Sequence, residues 1–103
     1  MEYLFSYGTL QNSDVQIELF GCEVNFAMDV MTGYEVRTIT LGNGTHKLAV
    51  EHAGGQISGI LLELTAEQIA ICDEYEPEEY ERVSVGLLSG KTAWAYVAAK
   101  NEL

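Results

Sequence analysis

Six carboxylates crowd the stretch ICDEYEPEEYERV, which runs from Ile71 to Val83. They are Asp73, Glu74, Glu76, Glu78, Glu79 and Glu81. Most of them must face water, because a group of like charges cannot all be buried. Glu76 differs by position: Pro77 predicts that a helix ends there, where the helix dipole and the neighbouring acids both disfavour negative charge. Both effects are expected to raise the pKa of the Glu76 carboxyl.

A carboxyl group with a raised pKa on a rigid helix suits general acid-base catalysis, provided that it also faces a pocket. The same spacing is typical of a glutamate that is simply exposed at a helix end. The residues around Glu76 therefore leave a catalytic and a structural interpretation open.

The turn formed by Tyr7, Gly8, Thr9 and Leu10 is the second feature that bears on chemistry. Gly8 allows a ligand to approach the backbone, and a helix is predicted to begin nearby. Backbone N–H groups in such a turn are suited to binding an anion or an oxyanion. An ordinary structural turn fits these four residues as well.

Thiol and metal chemistry have weaker support. Cys22 and Cys72 occur singly, without a CxxC motif, and are expected to be reduced thiols. His46 and His52 are the only histidines, and nothing local couples them to a thiol. They lie on one face of a predicted strand, but metal sites usually need three or four clustered ligands. We expect no metal and no other cofactor.

Composition limits the partners. The 103 residues fit one compact domain, residues 1–103, with 48% hydrophobic side chains. Five basic residues against 16 acidic ones give a formal net charge of -11, which repels nucleic acid and anionic membranes.

With no signal-like segment or membrane span, a cytoplasmic protein is expected. Its oligomeric state, monomer or weak homodimer, is left undecided.

Alternating apolar residues, capping residues and turn residues divide the chain into elements. In order, they are a strand at Glu2 to Ser6, a short helix from Ser13 to Phe20, two or three antiparallel strands between Glu23 and Val50, a buried strand from Gln56 to Leu64, a helix from Thr65 to Glu76, and strands from Tyr80 to Leu88 and from Thr92 to Ala99. A short polar tail follows.

Local signals support this division. Ser13 with Gln16, and Thr65 with Gln68, have the spacing of a capping box. The Asn43-Gly44 pair is a strong hairpin signal. The order of elements predicts an α+β fold, built on a small, curled, mostly antiparallel sheet or β-barrel that two main helices flank.

Three further positions on the predicted strands bear on the site. Gly59 marks a bulge or a close contact. Arg82 is expected to pair with an acid such as Asp73, and Tyr96 is favoured as a core aromatic.

Several segments taken together resemble one known family. "YLFSYGTL", "TGYEV", "GNGTHKLAV", "ISGILLELTAEQIAICDEYE", "EYERVSV" and "AWAYV" occur in the order seen in the gamma-glutamyl cyclotransferase-like family. The resemblance covers nearly the whole chain. YGTL alone is a weak signal, whereas YGTL followed by D-x-Y-E, Y-x-R-V and a terminal A-Y-V strand is fairly specific.

The resemblance implies a small β-barrel with flanking helices and a pocket for a small γ-glutamyl molecule. It implies that the loop from Tyr7 to Leu10 binds substrate through its backbone and that Glu76 is the acid-base residue. Tyr96 corresponds to an aromatic that contacts substrate in some members. The implied reaction closes a γ-glutamyl compound to 5-oxoproline and releases an amine or amino acid.

Some residues depart from the family pattern. Pro77 follows Glu76 where glycine is common, and His46-Lys47 stands where Tyr-Pro is usual. These departures favour an alternative, a noncatalytic binding or regulatory domain that keeps the fold and pocket. An acidic protein-interaction surface is a third interpretation, and no exposed apolar stripe accompanies it.

Overall fold

The computed structural model describes residues 1–41 and 44–100. Its strands are β1 (Glu2–Ser6), β2 (Phe26–Leu41), β3 (Gly44–Leu64), β4 (Tyr80–Gly86) and β5 (Thr92–Ala98), and its α-helices are α1 (Ser13–Phe20) and α2 (Ala66–Tyr75), with a 3-10 turn at Thr9–Gln11. The predicted alternation of strand, helix, strands, helix and two strands is confirmed, but in the described part of the chain two strands rather than three or more lie between the helices. The predicted hairpin turn at Asn43 and the end of the polar tail lie outside the described residues.

The strands form one sheet in the order β2-β3-β1-β5-β4. All neighbouring strands pair antiparallel except β1 and β5, which pair parallel. A bridge between Met31 and Leu87, and a bond from the Leu88 amide to the Val30 carbonyl, join the two outer strands. The expected curled, mostly antiparallel sheet is confirmed, and it closes into a half-barrel.

The long β2–β3 hairpin differs from the expected set of shorter strands. A new strand was expected to begin after Gly54-Gly55, but β3 runs through these residues without a break. The register with β2 shifts between Thr32 and Tyr34, and Gly33 and Gly54 absorb the irregularity with φ of 84° and 81°. Both strands resume their ladder beyond these glycines, so the irregularity is local.

The sheet is buried on both faces at β1. Phe5 and its neighbours pack inside the curl with Met31 and Ile57, whereas Leu4 faces the helices and packs with Leu62. Alternation of side chains along the strand therefore divides the core into an inner layer and a helix-facing layer. The C-terminal end of β1, where this buried strand leaves the sheet, leads directly into the Tyr7–Leu10 loop.

The two predicted capping boxes have different outcomes. Thr65 and Gln68 form both bonds of the box, with the Thr65 hydroxyl accepting at 3.1 Å and the Gln68 side chain at 2.9 Å. The box at Ser13 is wrong, because Asn12 is the N-cap and makes no side-chain cap bond. Gln16 is instead buried, donates to the Leu10 carbonyl at 2.8 Å and accepts from the Val24 amide at 3.1 Å. 

Both C-terminal strands are slightly shorter than expected. β4 ends at Gly86 rather than Leu88, because Leu87 bridges to Met31 on the far side of the half-barrel. β5 ends at Ala98 rather than Ala99. No helix in the described part of the chain is both long and apolar enough to cross a membrane.

Gly59 confirms the expected close contact. A Cβ atom at this position would clash with the Ser6 carbonyl oxygen and would lie 2.8 Å from Cζ of Phe5. The backbones of β3 and β1 can approach this closely only because residue 59 lacks a side chain.

Replacing Gly59 with alanine is therefore expected to lower the free energy of unfolding by about 1–3 kcal/mol, because the backbone of β1 must shift. Gly86→Ala is the matched control: the added methyl meets no atom within 4 Å, and a change within about 0.5 kcal/mol is expected. Urea denaturation of both variants measures the difference, and equal midpoints would contradict the contact.

Candidate active site

A cavity of about 500 Å³ opens at the C-terminal end of β1. Four parts of the chain line it: the loop after β1, the start of β3, the end of α2, and single residues of β4 and β5. The lining residues are 5–12, 45–47, 75–77, 80 and 96. All six residues that the sequence suggested for a site, Glu76, Tyr7, Gly8, Thr9, Leu10 and Tyr96, lie in this lining.

Glu76 is half-buried at the end of α2. Its amide donates to the Cys72 carbonyl at 3.0 Å, and its own backbone is extended, with φ -76° and ψ 134°, as expected before Pro77. The side chain lines the same cavity as the Tyr7–Leu10 loop. Proline at position 77 is thus compatible with a carboxyl that faces the cavity.

The pKa of Glu76 is raised to about 7, in the expected direction. The cause is burial, which removes the carboxylate from water, rather than the helix dipole or the neighbouring acids. Glu74 and Glu78 are exposed, as expected for most of the acidic stretch. A carboxyl that titrates near neutral pH can both accept and donate a proton there.

The loop that lines the cavity contains backbone N–H groups without a hydrogen-bond partner in the described part of the chain. Gly8 precedes the 3-10 turn, and its carbonyl accepts from the Gln11 amide and side chain, each at 3.2 Å. Within the described residues, the amides of Thr9 and Leu10 have no hydrogen-bond acceptor. The first N–H groups of a helical turn lack partners in general, so these amides can bind an acceptor on a ligand.

Neither a left-handed backbone conformation nor packing requires glycine at position 8. Its φ is -123°, outside the left-handed region, and a Cβ atom there would meet no protein atom within 4 Å. The space above Gly8 belongs to the cavity. The absence of a side chain at Gly8 therefore leaves room in the cavity for the expected close approach of a ligand.

Tyr7 anchors the loop through its hydroxyl. This group donates to the Tyr96 carbonyl at 2.6 Å and accepts from the Ala49 amide at 3.0 Å. Burial raises the pKa of the phenol above its ordinary value. Because both bonds are made to backbone, the Tyr7 side chain joins β5 and β3 beneath the cavity.

Two further tyrosines, which sequence reasoning missed, hold the rim of the cavity. Tyr75 and Thr9 share a hydrogen bond of 2.7 Å between their hydroxyls, which joins the end of α2 to the loop. Tyr80 donates to the Lys47 carbonyl at 2.6 Å, and burial raises its pKa to about 12. The sequence signal that could have identified these two tyrosines as part of the site is that both lie close to Glu76 in the chain.

Tyr96 is buried in the helix-facing core, as expected from its position on a strand, and it also lines the cavity. Its hydroxyl donates to Oδ1 of Asp73 at 2.7 Å. Arg82 binds the same carboxylate at 2.8 and 3.2 Å, which confirms the expected pair, and lies 4.4 Å from the ring centre of Trp94. The pair lowers the pKa of Asp73, chiefly through the bonds from Arg82.

This network fixes the orientation of α2. Asp73 lies one turn before Glu76, so the bonds from β4 and β5 to Asp73 restrain the helix end that carries Glu76. The sequence predicted the Arg82 pairing, but the bond from Tyr96 requires the parallel packing of β5 beside β1.

The cysteine and histidine side chains have different surroundings. Burial raises the pKa of the Cys72 thiol to about 12, which disfavours the nucleophilic thiolate. His46 lines the cavity, whereas His52 lies 3.8 Å from Glu35. Within the described residues, no three His, Cys, Asp or Glu side chains are grouped as a metal site.

Solved structures with a similar fold include two Arabidopsis thaliana proteins. At3g28950.1 aligns with a TM-score of 0.78 and 17% identity over 94% of this chain, and At5g39720.1 with 0.81 and 20% over 96%. A protein named gamma-glutamyl cyclotransferase aligns with 0.76 and 15% over 95%. The chain spans 61%, 69% and 66% of these proteins, respectively.

No curated protein sequence matches the chain. At these identities the structural likeness concerns the fold. The family model "Gamma-glutamyl cyclotransferase, AIG2-like", however, matches residues 4–103, which include the loop, Glu76 and Tyr96. The chain therefore belongs to the gamma-glutamyl cyclotransferase, AIG2-like family.

Proposed function

We propose that this chain is an enzyme that cyclises a small γ-glutamyl amine or peptide to 5-oxoproline, with Glu76 as the general acid-base residue. One observation carries the proposal: the half-buried Glu76 lines the same cavity as Thr9 and Leu10, whose amides have no acceptor among the described residues. A proton carrier and hydrogen-bond donors for negative charge thus flank one space.

The reaction needs few protein groups because both reacting atoms belong to the substrate. The α-nitrogen attacks the γ-carbonyl carbon, a C–N bond forms to close the five-membered ring, and the C–N bond to the leaving amine breaks. Intramolecular attack benefits strongly from a bound orientation that brings nitrogen and carbon together. The cavity walls supply that orientation.

Glu76 moves the protons. Its carboxylate takes a proton from the substrate ammonium, so that the α-nitrogen becomes nucleophilic, and the resulting acid gives a proton to the departing nitrogen. No water is consumed, and the protons lost by the attacking nitrogen balance those gained by the leaving amine and the solvent. A pKa near 7 matches both steps.

The loop amides stabilise negative charge on the substrate. The N–H groups of Thr9 and Leu10 are suited to the glutamyl carboxylate or to the oxyanion that develops from the γ-carbonyl. The Tyr7 hydroxyl and the Tyr75–Thr9 bond hold this loop against β3, β5 and α2. Donors held in place need no reorganisation during the reaction.

Replacing Glu76 with glutamine is expected to lower kcat for 5-oxoproline release at least about 100-fold, because glutamine cannot carry the proton. Release of 5-oxoproline from a panel of γ-glutamyl compounds measures this, with Glu78→Gln as the exposed control. Undiminished turnover in the Glu76 variant would exclude the mechanism. Binding without turnover by the unmodified protein would instead favour a noncatalytic domain.

The pH dependence follows from the raised pKa of Glu76. The value of kcat/KM should rise with pH and level off above about pH 7, where the base is ionised. The free energy of unfolding should change in the opposite sense, because the folded state binds the Glu76 proton more tightly than the unfolded state does. The stabilisation from this proton is fully present below about pH 4.5 and is lost as the pH rises through 7.

The stability of the Glu76→Gln variant tests the same titration without activity. Relative to the unmodified protein, it should become more stable as pH rises from 4.5 to above 7, since the glutamine carries no buried charge. Urea denaturation at several pH values measures this. A stability difference that does not change with pH would contradict the titration.

Replacing Gly8 with alanine is expected to lower kcat/KM about tenfold or more, because the methyl group occupies cavity space that the substrate needs. Stability should change little, since the methyl meets no protein atom within 4 Å. Steady-state kinetics and denaturation test both parts, with Gly86→Ala as a control outside the cavity. Unchanged kinetics would place the substrate away from the loop.

A further inference from the structure

Lys47 introduces positive charge into the lining of the cavity. The chain has only five lysines and arginines against 16 acids, and Lys47 is the one lysine or arginine among the described lining residues. The ion pairs within the described residues are Arg37–Glu35, His52–Glu35 and Arg82–Asp73. None of them uses Lys47, so within that part of the chain its ammonium group has no carboxylate partner.

The backbone that carries Lys47 is held in place. Tyr80 binds the Lys47 carbonyl at 2.6 Å, and two residues further along β3 the Ala49 amide binds the Tyr7 hydroxyl at 3.0 Å. Tyr80 and Tyr7 therefore restrain the segment of β3 that carries Lys47. Its side chain is exposed, which places it at the mouth of the cavity, whereas Glu76 is half-buried.

The cavity lining lacks the excess of negative charge that the whole chain has, because its described residues include one lysine, Lys47, and one acid, Glu76. Glu76 is the only carboxylate among the described lining residues, and the proposed reaction uses it for proton transfer. Charges elsewhere on the acidic surface are screened beyond about 8 Å at physiological salt. Among the described lining residues, Lys47 is thus the one that offers positive charge to a group bound at the mouth.

The two ends of a γ-glutamyl substrate must lie in different parts of the cavity. The glutamyl end must reach Glu76 and the loop, and its carboxylate can bind the amides of Thr9 and Leu10. The leaving group then extends toward the mouth, where Lys47 lies. An ammonium group there stabilises a carboxylate on the leaving group and disfavours a cationic amine.

We propose that Lys47 selects γ-glutamyl substrates whose leaving group carries a carboxylate, namely amino acids or peptides, over those that release a neutral or cationic amine. This inference rests on the proposed cyclisation. Lys47 acts on specificity and takes no part in the proton transfers.

Two substrates isolate the carboxylate. γ-Glutamylalanine and γ-glutamylethylamide differ only in that a hydrogen replaces the carboxylate of the leaving group. The unmodified protein should show the higher kcat/KM for γ-glutamylalanine. Lys47→Met should reduce that preference about tenfold, the effect of one charge-assisted hydrogen bond, and Lys47→Glu should reverse it. Lys91→Met, outside the cavity lining, is the matched control and should keep the preference.

The outcomes separate this inference from the proposed function. If neither substrate releases 5-oxoproline, or if Glu76→Gln retains full activity, the cyclisation itself is wrong. If both substrates react and Lys47→Met lowers kcat/KM equally for both, Lys47 binds the glutamyl carboxylate and the inference is overturned. Equal use of both substrates by the unmodified protein would also overturn it, while a loss confined to γ-glutamylalanine would support it.

Discussion

Burial of the Glu76 carboxyl is the interaction on which the candidate site depends. An ionised carboxylate loses solvation when it is buried, so its pKa rises to about 7 and the group can exchange protons near neutral pH. The carboxylate would regain its solvation if the end of the helix moved into water. The fold must therefore prevent that movement. Pro77 and the bonds to Asp73 oppose that movement.

Hydroxyl groups of tyrosine perform most of this restraint. Tyr7, Tyr80 and Tyr96 each make a hydrogen bond of 2.6 or 2.7 Å, and the three bonds connect the loop, the end of α2 and strands β3 to β5. A partly buried polar group of this kind destabilises the folded state when it lacks a hydrogen-bond partner, and it restricts the local conformation when it is paired. They hold the loop amides and Glu76 around one cavity, so the arrangement exists before a ligand binds.

The curled sheet explains why residues so distant in sequence meet. β1 lies between β3 and β5, and its C-terminal end delivers the Tyr7–Leu10 loop to the point where α2 ends. Gly59 allows β3 to approach β1, and the Met31–Leu87 bridge joins the outer strands. An acidic chain thereby encloses a cavity whose rim carries a lysine.

Much of the fold was determined by local sequence. Alternating apolar residues specified the strands, the Thr65–Gln68 box specified the start of α2, and Pro77 specified its end, because each signal acts on neighbouring residues. The family motif added the loop, Glu76 and Tyr96 as candidates. Only the tertiary structure decided that β3 is continuous through Gly54, that Gln16 is buried rather than capping, and that burial sets the pKa of Glu76. Those outcomes depend on contacts between residues far apart in the chain, which local patterns do not encode.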